Sequence, residues 1–125
     1  MAKAKTIKQI LNDASGGRAV LNNCDMRDMD LRPFDLRNAD LRDSNLSGAN
    51  LSGVDLRGAN LSGTVMLNAS LKAALLSFVD LSEADLRGAD LTDADFTGAE
   101  IWRTNLKGCK VKPGILHKML SCQLP

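Results

Sequence analysis

The sequence predicts an all-β solenoid with a short helix at each end, and three observations carry that prediction. An apolar residue returns at every fifth position from Leu21 to Val111. Asp or Asn stands directly before it in most repeats, and Gly often follows two places later. Helical apolar spacing is confined to the termini, at Ile7, Ile10, Leu11 and Ala14 and again at Ile115, Leu116, Met119 and Leu120. A period of five fits neither a helix, at 3.6, nor a plain strand, at 2.0.

The N-terminal segment, 1–18, reads as a helix and a link. Thr6 and Gln9 have the spacing of a capping box, in which each side chain satisfies the other's backbone N–H. The apolar positions share one helical face, and Gly16-Gly17 stops the helix. A helix is therefore expected over 7–14, lying on the first layer of the solenoid.

From Ala19 to Pro113 the chain divides into 19 blocks of five with no insertion or deletion. The third residue is Leu in 14 of them, and Met26, Met66, Phe96, Ile101 and Val111 fill the others. The first residue is mostly Ala, otherwise Cys, Ser, Thr, Val, Met or Phe. The first and third residues, two apart, share one face of an extended segment. The fourth and fifth then turn the chain. Large and small side chains thus alternate inside, while the second, fourth and fifth residues face water. Burial is expected at position 21 and every fifth residue to 106, and two residues before each.

The blocks ADLRG, ANLSG and ADLTD resemble the A(D/N)LXX motif of the pentapeptide-repeat proteins. The resemblance spans residues 19–113. It implies a right-handed quadrilateral β-helix with one block per side, about 4.75 coils in all, each stacked at the strand spacing of roughly 4.8 Å.

Segment 114–121 is the second expected helix, closing the last coil beyond Pro113. The organisation is then 1–18 cap and link, 19–113 repeats, 114–125 cap and tail. The resemblance leaves two oligomeric states open, a monomer and a dimer through the C-terminal ends.

The fifth residue of a block occupies the turn position that needs positive φ. Gly48, Gly53, Gly58, Gly63, Gly88, Gly98 and Gly108 adopt it freely, and Asn38 and Asn68 tolerate it. Pro33 cannot. The corners at Pro33, Phe78 and Arg103 are expected to open into another turn type.

Composition narrows the function. The formal charge is +1. Residues 1–18 carry Lys3, Lys5, Lys8 and Arg18 against Asp13, while 19–113 carry 11 basic and 14 acidic groups. No field of one sign results, so bulk charge argues against nucleic-acid binding. Arg27, Arg32, Arg37 and Arg42 cluster, but aspartates offset them and aromatic stacking groups are scarce. No signal-peptide pattern and no membrane span is present, which points to the cytoplasm.

No residues are assigned to catalysis, cofactor binding or metal binding. His117 is the single histidine and has no partner pattern. The outward Asp row reads as repeat chemistry, bonding nearby backbone. Cys24 and Cys109 sit at small-residue positions too far apart to pair, whereas Cys109 and Cys122 could meet.

The blocks TVMLN, ASLKA and ALLSF break the polar pattern. Val65, Leu67, Leu75 and Phe78 stand at outward positions there, and Trp102 follows in a later block. These five form the candidate partner surface. Val65 and Leu67 fall on the side opposite Leu75 and Phe78, and Phe78 aligns with Gly58 and Gly98. The expected role is a non-catalytic interaction or scaffold protein for a protein partner. The resemblance adds an alternative, mimicry of DNA toward DNA gyrase or another DNA-binding protein, which this short, weakly charged column fits poorly.

Overall fold

The computed structural model describes residues 6–14 and 16–115. The extended part of each block is so short that its second residue makes a single parallel bridge. Each bridge joins residues 20 apart, as in Val20 with Asp40, Asn45 with Val65 and Asp90 with Lys110. Four blocks therefore complete one layer, and every block lies on the one four before it. Blocks starting at 19, 39, 59, 79 and 99 make the first face of the column. Those starting at 24, 44, 64, 84 and 104 make the second, and those at 29, 49, 69, 89 and 109 the third. The fourth face holds 34, 54, 74 and 94.

Backbone bonding explains why the five-residue unit is stable. Leu61 N–H donates to Asp80 O at 2.7 Å, Asp80 N–H to Ala59 O at 3.1 Å, and Gly63 N–H to Ser82 O at 2.9 Å. Those three bonds tie adjacent layers. A fourth, Thr64 N–H to Leu61 O at 3.2 Å, closes the corner. The same set recurs along the column, leaving few backbone groups unpaired inside it.

Every third-position side chain from Leu21 to Leu91 is at most 1% exposed, with small residues such as Ala39, Ala59 and Ala84 beside them. Each such Leu contributes about 1.5–3 kcal/mol. The expected burial fails near both ends. Phe96 and Leu106 are half-buried, as are Cys24, Met29, Phe34, Ala99 and Thr104 at first positions. Interior layers have a neighbour above and below, whereas these lie in or next to a terminal layer covered less completely.

Helix α1 spans Ile7–Asp13, one residue shorter than expected, with Ala14 as its C-cap. Thr6 Oγ1 accepts from Gln9 N–H, and Gln9 Oε1 accepts from Thr6 N–H, completing the capping box. Leu11 is buried in the column's core, with Ile7, Ile10 and Ala14 packed against it. Arg18 N–H then donates to Arg37 O at 2.8 Å and starts the ladder. At the other end 113–115 is helical. The remainder of the expected 114–121 helix lies outside the described residues, as do His117 and Cys122.

The corners correct one expectation. Phe78 and Arg103 have φ of 59° and 57°, in the same region as Gly53 at 70°. Ala73 and Glu83 join them. A non-glycine residue in that region is strained by about 1–2 kcal/mol. Phe78 N–H donates to Thr97 O at 2.9 Å, and Val79 N–H closes the turn on Leu76 O. Those bonds, with the buried leucine beside the corner, outweigh the strain. Pro33 is the true exception. It offers Ser52 no N–H, and among the described residues the bridge expected between Asp35 and Asp55 is missing.

Candidate interaction surface

The outward residues divide into two chemistries. The first is an Asx motif. Second-position Asp or Asn accepts the fourth residue's N–H, as in Asn60 Oδ1 from Ser62 at 3.0 Å and Asp80 Oδ1 from Ser82 at 2.9 Å. The short carboxylate or amide thus satisfies the turn's free donor, which is why Asp and Asn dominate there.

Where the fourth residue is Arg, the pair closes into a fork. Arg27 Nε donates to Asp25 Oδ1 at 2.8 Å and its Nη2 to Asp25 Oδ2 at 2.7 Å. Arg32–Asp30, Arg37–Asp35, Arg42–Asp40, Arg57–Asp55 and Arg87–Asp85 repeat the geometry. The side-chain bonds from Arg27 and Arg32 hold the carboxyls of Asp25 and Asp30 at about 2. Each of these arginines has its charge paired within its own block, so the cluster noted in the sequence is not a free cationic patch.

The second chemistry is apolar. Val65 and Leu67 lie on the second face and are half-buried. Leu67 N–H, with no Asx partner in its block, takes the Ser47 hydroxyl from the layer before at 3.2 Å. Leu75 and Phe78 lie on the fourth face, 37% and 71% exposed, and Trp102 on the first face is 57% exposed. The five candidates therefore do not form one patch. Phe78 stands at the corner between the fourth and first faces, and Trp102 lies across the first face from it.

Local packing leaves more than half of each ring in water. A Cβ on Gly98 would stand 2.6 Å from Phe78 Cδ1 and Cε1, so the ring rests on that bare glycine and leaves most of its surface in water. The Arg103 guanidinium lies 4.6 Å from the Trp102 ring centroid, a cation–π contact. Gly58 meets the Asn38 side chain instead of Phe78.

Two features escaped the sequence reading. Val20, on the first face near α1, is 61% exposed. Ser44 is buried, and its hydroxyl donates to Leu21 O at 2.5 Å while accepting Cys24 N–H at 3.0 Å. It inserts into a corner that elsewhere closes on itself. A Ser among first-position alanines was the available signal for that wedge.

Among the described residues, no group of three His, Cys, Asp or Glu could hold a metal ion. Cys24 and Cys109 are free thiols whose partial burial raises their pKa. No helix among the described residues is long and apolar enough to cross a membrane.

The family model for pentapeptide repeats matches residues 24–63, 35–72 and 74–112. The chain belongs to the pentapeptide-repeat family. The family's fold is a right-handed β-helix, and in this chain the bridges repeat every 20 residues. Among solved structures, a pentapeptide repeat protein from Nostoc PCC 7120 is 31% identical, with a TM-score of 0.55 over 86% of this chain and 96% of that one. Another, from the Arabidopsis thaliana thylakoid lumen, is 24% identical, with a TM-score of 0.68 over 89% of this chain and 79% of that one. No curated protein matches the chain. The lumenal relative shows that this fold is not tied to the cytoplasm.

Proposed function

We propose that this pentapeptide-repeat protein is a non-catalytic interaction module that presents Leu75 and Phe78, with Trp102 across the adjoining first face, to a protein partner. The observation that carries the reading is the exposure of Phe78 and Trp102, 71% and 57%, on a column whose other large apolar side chains are mostly enclosed. Large exposed apolar groups on a rigid scaffold favour recognition, since the surface costs little entropy to present. In this reading residues 19–113 form the scaffold of about 4.75 coils at the strand spacing. Segments 1–18 and 114–125 close its ends, as solenoids require. Val65 and Leu67, half-buried and on the opposite face, belong to the scaffold.

Affinity capture from the native host tests the proposal. Wild type and a Val65→Asp variant should retain the same protein, and Phe78→Asp and Trp102→Asp should lose it. Identical captures by all four proteins would refute it. DNA gyrase in the wild-type and Phe78→Asp eluates alike would favour the DNA-mimic alternative.

A further inference from the structure

The charge around the two aromatics identifies the kind of partner. Segments 74–83 and 94–103 bring together the fourth-face and first-face stretches that carry Leu75, Phe78 and Trp102. They also carry four carboxylates, Asp80, Glu83, Asp95 and Glu100, against one cation, Arg103, for a net charge of −3.

These carboxylates differ from those of the arginine blocks. The aspartates at 25, 30, 35, 40, 55 and 85 each have an arginine fork two residues on. Here the residues two places after Asp80 and Asp95 are Ser82 and Thr97. They satisfy the Asx bonds of Asp80 and Asp95 through backbone N–H without supplying charge. Among the described residues, none of the four carboxylates has a salt-bridge partner. Arg103 is turned onto the Trp102 ring.

Phe78 supplies a second line of argument. It occupies a positive-φ corner where glycine would be unstrained, and it recovers little by burial. Ala73, Glu83 and Arg103 take the same φ, so what sets Phe78 apart is not the strain but a large apolar ring placed there and left mostly in water. Trp102 lies about one side-length away, on the order of 10–15 Å for four residues of extended chain. An extended segment could therefore rest one apolar side chain on Phe78 and another on Trp102 while its cations meet Asp80 and Glu100 between them and Glu83 and Asp95 at either side.

We propose that this corner binds a basic, amphipathic segment of a protein, one that alternates Lys or Arg with large apolar residues. The proposal rests on the interaction reading above and specifies its partner. Negative charge complements the cations and would repel an acidic segment. The aromatic pair supplies the apolar anchors at which binding energy concentrates.

Trp102 is the single tryptophan and the chain has no Tyr, so its emission reports on this corner alone. The full chain is titrated with a synthetic twelve-residue peptide alternating Lys with Leu and Phe, and with its counterpart bearing Glu for Lys. The lysine peptide should shift Trp102 emission to the blue, saturably and more weakly at high salt. The glutamate peptide should leave it unchanged. Phe78→Ser should abolish the shift. The double variant Glu83→Gln/Glu100→Gln should weaken binding about tenfold, the loss of two partly screened charge contacts.

Equal response to both peptides, an unweakened double variant, or no shift at millimolar lysine peptide would overturn the proposal. The interaction reading would survive those results if the captured partner still depended on Phe78 and Trp102. It would fail separately if capture were independent of both.

Discussion

Replacing Phe78 by glycine separates a structural role from a recognition role. The substitution removes a left-handed non-glycine corner and so relieves about 1–2 kcal/mol of strain. It sacrifices the ring's contact with Gly98. Full burial of a Phe is worth about 1.5–3 kcal/mol, and a ring that is 71% exposed retains under a third of it. Glycine also costs roughly 0.5–1 kcal/mol of additional backbone entropy. The three contributions nearly cancel, and stability should change by less than about 1 kcal/mol. Leu76→Ala, two residues earlier and 0% exposed, supplies the yardstick at about 2–5 kcal/mol. Urea denaturation followed by far-UV circular dichroism measures both variants. Were Phe78→Gly destabilising by more than 2 kcal/mol, on the scale of Leu76→Ala, the ring would be structural and the recognition argument would lose its basis.

Acid tolerance follows from the Asp–Arg forks. Asp25 and Asp30 are held at about 2, below the ordinary Asp value. A lowered folded-state pKa contributes stability that is complete above the unfolded value, near 3.9, and is lost as pH falls through the folded one. The forks' contribution should therefore persist at pH 5 and fade between about pH 4 and 2. Carboxyl chemical shifts should place the Asp25 midpoint near 2 and, in Arg27→Gln, move it upward; a midpoint unmoved by that variant would show that the arginine is not the cause. Pro33→Gly restores an N–H and permits positive φ, so hydrogen exchange should reveal a new protected amide at 33 opposite Ser52. A fast-exchanging amide there would show that the break has another origin. Deleting residues 1–16 removes Leu11 from the core and uncovers the first layer's unpaired edge, so light scattering should register end-to-end association. A deletion variant that stays monomeric would make α1 dispensable as a cover.

The candidate surface was only partly legible in the sequence. Outward polar positions filled by Val65, Leu67, Leu75, Phe78 and Trp102 were visible as breaks in a strict pattern. The register also placed Val65 and Leu67 opposite Leu75 and Phe78. Exposure was not visible, because it depends on neighbours one layer away. Leu67 is shielded within the second face and Phe78 is not, although both stand at outward positions. The unpaired carboxylates were readable in retrospect, since Asp followed two places later by Arg closes a fork and Asp followed by Ser or Thr does not.

By itself, the sequence determined the repeat, its register, the buried leucine column and the N-terminal capping box. Each follows from contacts within five residues, or from an apolar pattern too regular to fit another periodicity. Only the tertiary structure decided the corners. Local preference would have opened the turns at Phe78 and Arg103, yet both take the left-handed conformation of their glycine counterparts. The reason is cooperative. At Phe78 the corner is fixed by its own turn bond, by a bond to the next layer and by the enclosed leucine beside it. Together these exceed the one or two kcal/mol by which a single residue objects. Proline alone escapes that control at position 33, because it lacks the N–H through which the neighbouring layer would act.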